Sequence, residues 1–142
     1  MGYAGLADAD GLPSHAVHFA LSAGGGIGDA WSIQGLLSHS LFFDESPLQL
    51  SMAGLETVYA LDIVRFVPLL GAGIYGILSV QSREARGDFA LHALLGFDFL
   101  INRRWIVGAD ARGFWVATNA NSRLAPFIGT VALRASVRFD LR

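Results

Sequence analysis

The chain has 142 residues, a formal net charge of -2 from Lys+Arg 10 against Asp+Glu 12, and 53% hydrophobic residues with a mean hydropathy of +0.47. That length suits one domain spanning 1–142, and without a basic surplus the chain is not expected to bind nucleic acid. Cys 0 excludes disulfides, thiol nucleophiles and cysteine-held metals.

Two further features of composition shape the reading. Lysine is absent, so every basic side chain is an arginine, which suits buried ion pairs. Gly 17 is high, and many of these glycines interrupt apolar runs that they would weaken in an ordinary strand or helix. Inside a narrow barrel, an inward glycine makes room for a large side chain opposite.

At the N-terminus, residues 1–10 lack a basic segment followed by an apolar run, so no secretory signal is read there. The expectation is a chain that is not exported through this segment, or one whose true start lies upstream. Leu6 stands where myristoylation needs Ser or Thr. Residues 1–6 are short and weakly apolar, and residues 7–14 read as a loop. Asp8, Asp10 and Gly11 resemble a calcium loop only faintly, because its later ligands and terminal Glu are missing.

From His15 onward the chain alternates with a period of two, the signature of strands. Val17, Phe19, Leu21, Ala23, Gly25 and Ile27 share one face, and Gly28-Asp29 marks a tight turn. Residues 31–43 form the next run, with Trp31, Ile33, Gly35, Leu37, Leu41 and Phe43 on one face and His39 as a polar exception among them. Residues 48–61 begin with Leu48, Leu50 and Met52 in phase, whereas Leu55, Thr57, Tyr59 and Leu61 continue out of phase. A bulge near Ala53-Gly54 would reconcile the two halves.

Residues 66–81 give a further strand with Leu70, Ala72, Ile74, Leu78 and Val80 on its apolar face, and residues 82–87 a charged loop. Residues 88–101 and 105–118 alternate again, around the polar turn Asn102-Arg103-Arg104. The last stretch, 126–142, is the longest clean alternation. Phe127, Gly129, Val131, Leu133, Ala135, Val137, Phe139 and Leu141 lie on one face, opposite Arg134, Arg138 and Asp140 among others.

These strands exceed the roughly 5 to 6 residues usual in globular sheets and match the about 9 to 11 tilted residues that cross a bilayer. Lipid-facing and lumen-facing positions then alternate along each strand. About seven long strands are visible where eight would close a barrel, and residues 2–6 are the candidate remnant of the first. The last strand should therefore pair with 105–118 on one side and be poorly covered on the other.

The aromatic residues sort toward strand ends. Trp31, Phe66, Phe99, Trp105 and Phe139 gather at one rim, and Phe19, Phe43, Phe89, Trp115 and Phe127 at the other, as girdles at headgroup depth require. On these patterns, residues 17–142 resemble the small eight-stranded outer-membrane β-barrel family, which includes the transmembrane domain of outer-membrane protein A and outer-membrane protein W. The resemblance implies an all-β, antiparallel up-and-down barrel in the bacterial outer membrane, non-enzymatic, without cofactor or metal. Its partners would be outer-membrane lipids and the barrel-assembly machinery, with any small-molecule ligand unidentified. In that family the closing strand ends in an aromatic residue that the machinery recognises; Phe139 is the nearest match, and Asp140-Leu141-Arg142 departs from it.

Glu56, Asp98, Asp110, Arg112, Arg134, Arg138 and Asp140, with His18, fall opposite the lipid-facing set and form a candidate lumen charge network. Paired charges there would make a filled polar plug, and a ring of them in an open pore would select ions. The run Gly71-Ala72-Gly73-Ile74-Tyr75-Gly76 matches the dinucleotide-binding glycine pattern, but Ile77-Leu78-Ser79-Val80 beyond it is strand-like where that motif needs a helix. His39 between Ser38 and Ser40 would fit a lipid hydrolase only if a nucleophile and an orienting carboxylate converged on it, and Asp44 and Glu45 are the acids nearby in sequence. Two other architectures remain at this level: a soluble or periplasmic lipid-binding barrel with its faces reversed, and a helical membrane protein built on the apolar run 66–80.

Overall fold

The computed structural model describes residues 1–7, 15–43, 48–61, 65–81, 84–102, 104–117 and 127–137. These form eight antiparallel strands: β1 (Gly2–Ala7), β2 (His15–Ile27), β3 (Trp31–Phe42), β4 (Leu48–Ala60), β5 (Phe66–Gln81), β6 (Glu84–Leu100), β7 (Trp105–Ala117) and β8 (Phe127–Val137). Each pairs with its neighbours in chain order, and β1 pairs with β8 to close the ring. The described residues contain no helix.

Period-two alternation sends one set of side chains outward and the other into the barrel. Leu21, Leu37, Leu95, Trp115 and Leu133 are among the most exposed large apolar residues, while Tyr75, Phe42, Phe114 and Glu56 are almost fully buried. The reversed arrangement expected of a soluble lipid-binding barrel is therefore not the one found. Nor is the run 66–80 a helix: it is β5, with the Gly71 to Gly76 pattern at mid-strand and no helix to hold a pyrophosphate.

Three expectations from the sequence change. First, the barrel is closed, because Gly2–Ala7 pairs with β8 from Ala132 to Phe127 as well as with β2. Six residues are too few to display the alternation that identifies longer strands. The open edge survives only in part: beyond the Leu133 amide, which donates to the Met1 carbonyl, Arg134–Val137 have no β1 partner among the described residues. On its other side β8 pairs with β7, as expected.

Second, β4 carries no bulge, since its register with β3 and β5 is unbroken through Ala53 and Gly54. The change of phase has another cause. Leu48, Leu50 and Met52 point inward and are buried, and the same inward face continues with Glu56 and Val58. Third, the charged loop is shorter than expected, because Glu84 to Gly87 already belong to β6 and pair with Gln81 to Leu78. Arg138, Phe139, Asp140 and the rest of the C-terminal run lie outside the described residues, as do Asp8, Asp10, Gly11, Asp44 and Glu45.

The interior is layered along the barrel axis. Toward the end that carries the long connections, an apolar cluster joins Phe42, Leu48, Leu50, Tyr75, Ile77, Phe114, Val116 and Ile128. Toward the end with the short turns, Val58, Val67, Leu69 and Leu94 form a smaller one. The charged residues lie between and beside these layers, so the lumen is less uniformly polar than the sequence suggests.

Candidate functional site

The strands bring together most of the residues expected in the lumen. Glu56 of β4 is at the centre. Its Oε2 accepts a hydrogen bond from the Tyr75 hydroxyl at 2.8 Å, and its Oε1 accepts one from Arg112 Nη2 at 3.3 Å. His92 Nε2 lies 3.0 Å from the same Oε2, a close approach without hydrogen-bond alignment, because neither ring nitrogen has a hydrogen-bond partner. Arg112 Nη1 donates to Asp110 Oδ1 at 2.6 Å. All five side chains are buried.

A second pair sits nearer the short-turn end, where Arg134 Nη2 donates to Asp98 Oδ1 at 2.6 Å. Both of these side chains keep some exposure, 13% and 16%. His18 is separate from both groups: its Nδ1 lies 2.8 Å from Ser40 Oγ, inside the barrel. Arg138 and Asp140 fall outside the described residues.

Glycines on intervening strands make these contacts possible. Gly73 of β5 stands between Glu56 of β4 and His92 of β6 in one cross-strand row. A Cβ on Gly73 would sit 2.9 Å from the Cβ of Glu56, so a larger residue there would occupy the space the carboxylate crosses. Gly108 of β7 stands in the same way between Asp98 and Arg134, and a side chain on it would collide with the Asp98 carboxylate. Gly96 faces Asp110. With one pleat position emptied, side chains two strands apart can meet above the backbone.

Sequence reasoning missed Tyr75 as a member of the network and did not include His92 in it. Parity was the available signal: Tyr75 shares its face with Gly73 and Ile77, opposite Leu70, Ala72 and Ile74. The glycine-rich match around it drew attention to a motif when its position in the strand was the informative fact.

On the outer wall, Trp31, Phe66, Phe99 and Trp105 lie at the short-turn end, and Phe19, Phe43, Phe89, Trp115 and Phe127 at the other, all of them exposed. Tyr59 and Phe97 join the first group through ring contacts with Trp31 at 4.9 Å and Phe66 at 5.2 Å. Phe127 lies over its glycine neighbour, for a Cβ on Gly113 would come within 2.8 Å of its ring. The exception noted at His39 also gains a partner: it points outward, and its Nδ1 is 2.9 Å from Oγ of Ser51, directly opposite on β4. Among the described residues, no group of three or more His, Asp or Glu side chains is arranged to hold a metal ion.

No protein-family model matches the chain, and no curated protein does. Among solved structures, neisserial surface protein A superposes with a TM-score of 0.77 at 16% identity, over 88% of this chain and 84% of that one. Ail, the attachment invasion locus protein of Yersinia pestis, solved in complex with the heparin analogue sucrose octasulfate, superposes with a TM-score of 0.60 at 21% identity, over 97% of this chain and 94% of that one. The shared feature is the fold, that of the small eight-stranded outer-membrane barrels.

Proposed function

We propose that this chain is a structural protein of the bacterial outer membrane, non-enzymatic in its lumen, a barrel whose interior is closed by its own side chains and which serves the integrity of the envelope. The observation that carries this reading is the inversion of polarity: large apolar residues face outward along every long strand, and the ionic network around Glu56 faces inward. Such an exterior would be insoluble in water, whereas hydrocarbon solvates it without penalty. An eight-stranded barrel is just wide enough for side chains to fill.

Two apolar layers around a charge cluster whose central carboxylate is contacted from three strands favour a plug over a conducting pore. In a selectivity ring the charges would face water and have capacity left for a passing ion, whereas Glu56 is held by Tyr75, His92 and Arg112 together. The outer-membrane lipids are the partners implied by the outer wall, and the barrel-assembly machinery is the partner implied by the topology.

Reconstitution into planar bilayers tests the closed lumen. The expected result is no stepwise conductance from protein whose folding is shown by heat-modifiable electrophoretic mobility. Discrete conductance steps would contradict the plug and support passage of ions or small solutes.

A further inference from the structure

Among the outward positions whose side chains the structure describes, His39, Gln49, Ser51 and Thr57 are the polar ones apart from Tyr and Trp, and all four belong to β3 and β4. The Thr57 hydroxyl is turned back onto the Ala72 carbonyl. The other three form one patch at the long-connection end of the β3–β4 hairpin. His39 lies opposite Ser51, and Gln49 is the next outward residue on β4, opposite Leu41.

His39 is level with Phe19, so the patch lies at the aromatic edge of the apolar band, within reach of lipid headgroups and the first carbons of their acyl chains. Its side chains have a chemistry. Ser51 Oγ and His39 Nδ1 are 2.9 Å apart, the separation of a nucleophile from its base; no carboxylate contacts His39 among the described residues, so the pair would act as a dyad in place of the triad that the sequence reading required. Gln49 is exposed on the same face and carries an amide N–H that can donate to a developing oxyanion, as side-chain amides do in acyl-transfer sites. The neighbours across the strands are apolar, with Phe19 beside His39 and Leu78 beside Ser51. These would bed an acyl chain along the wall while its ester stays at headgroup depth.

We propose that Ser51, His39 and Gln49 form an acyl-ester hydrolysis site open to the leaflet at the long-connection end, with Ser51 as nucleophile, His39 as general base and acid, and Gln49 as oxyanion donor. The Ser51 oxygen bonds to the ester carbonyl carbon while its proton passes to the unprotonated ring nitrogen of His39. The tetrahedral intermediate collapses with cleavage of the carbon to alkoxy bond, and the leaving alcohol takes the proton from His39. Water then attacks the acylated Ser51 with His39 again accepting the proton, releasing a fatty acid and restoring the serine. The substrate class is an ester-linked acyl chain, whether of a glycerophospholipid or of lipopolysaccharide. The site lies on the wall and is independent of the lumen; it rests on the membrane-facing reading of that wall and adds an activity to the structural role.

The test uses the full chain refolded in detergent, with folding followed by heat-modifiable mobility. A fluorophosphonate probe reacts with serines activated by a base, and peptide mass spectrometry locates the adduct. The expected adduct is on Ser51, absent in Ser51→Ala and formed about 100-fold more slowly in His39→Asn, with both variants still heat-modifiable. Fatty acid release is then measured from phosphatidylethanolamine vesicles and from lipopolysaccharide micelles, and release from either identifies the lipid. A barrel that folds and inserts yet shows no Ser51 adduct, or labels equally in His39→Asn, or releases fatty acid from neither lipid, overturns the site while leaving the membrane reading intact. A chain that fails to insert into vesicles overturns the membrane reading itself.

Discussion

Glu56 and His92 belong to strands that are not neighbours, and they meet at 3.0 Å because Gly73, the residue between them, has no side chain. The same device joins Asp98 to Arg134 across Gly108. Glycines that looked like weaknesses in apolar strands are thus conditions of the interior network.

Gly73→Val is expected to destabilise the barrel by about 1–3 kcal/mol, the usual effect of forcing extra volume into a packed interior. The new Cβ would press on Glu56, whose Cα would be 2.8 Å away. The urea midpoint of the heat-modifiable band checks this, and Gly76→Val, at an outward position with only the Ala53 carbonyl near at 3.9 Å, should shift it far less.

Removing the carboxylate at the centre should cost more than removing the one nearer the rim. Glu56→Ala leaves Arg112 with Asp110 alone and strips the Tyr75 hydroxyl of its acceptor in a fully buried setting, so a loss of about 3–5 kcal/mol is expected. Asp98→Ala leaves a partly exposed Arg134 and should cost less than half as much. Equilibrium unfolding of the two variants in the same detergent gives the comparison.

The outer wall makes a prediction of opposite kind. Leu95 is 64% exposed and lies between Leu70 and Ala111, midway between the aromatic ends of β6. Leu95→Arg should destabilise the vesicle-inserted protein by about 2–4 kcal/mol, the cost of a cation near the bilayer midplane. In an aqueous setting the same exposed substitution would be close to neutral. Unfolding from lipid vesicles distinguishes the two.

Gly113 and Phe127 form a testable pair on the same wall. A Cβ at Gly113 would displace the ring that covers it, so Gly113→Ala should cost about 1 kcal/mol in the native background. In the Phe127→Ala background the same substitution should be nearly neutral. A double-mutant cycle reads the coupling directly.

Much of this fold was legible from period-two patterning alone. Strand length, the outward set and the inward placement of Glu56, Asp98, Asp110, Arg112 and Arg134 follow from parity, which is a local property. β1 was hard to see because six residues hold too few alternations. The inward Leu48, Leu50 and Met52 misled for a different reason: an apolar residue inside a barrel and one facing lipid look alike in sequence, and only pairing with β3 and β5 separates them. Tyr75 and Ser51 needed cross-strand register, which no local pattern supplies.

The central claim is that the apolar face of every long strand touches lipid, and the three tryptophans report on it directly, since Trp31, Trp105 and Trp115 all point outward with 51–71% exposure. Fluorescence of the protein refolded into vesicles should be blue-shifted and strongly quenched when the lipids carry bromine near the top of their acyl chains, the depth of the aromatic girdles. Emission at the wavelength of water-exposed tryptophan, unaffected by brominated lipid but quenched by aqueous iodide, would contradict it.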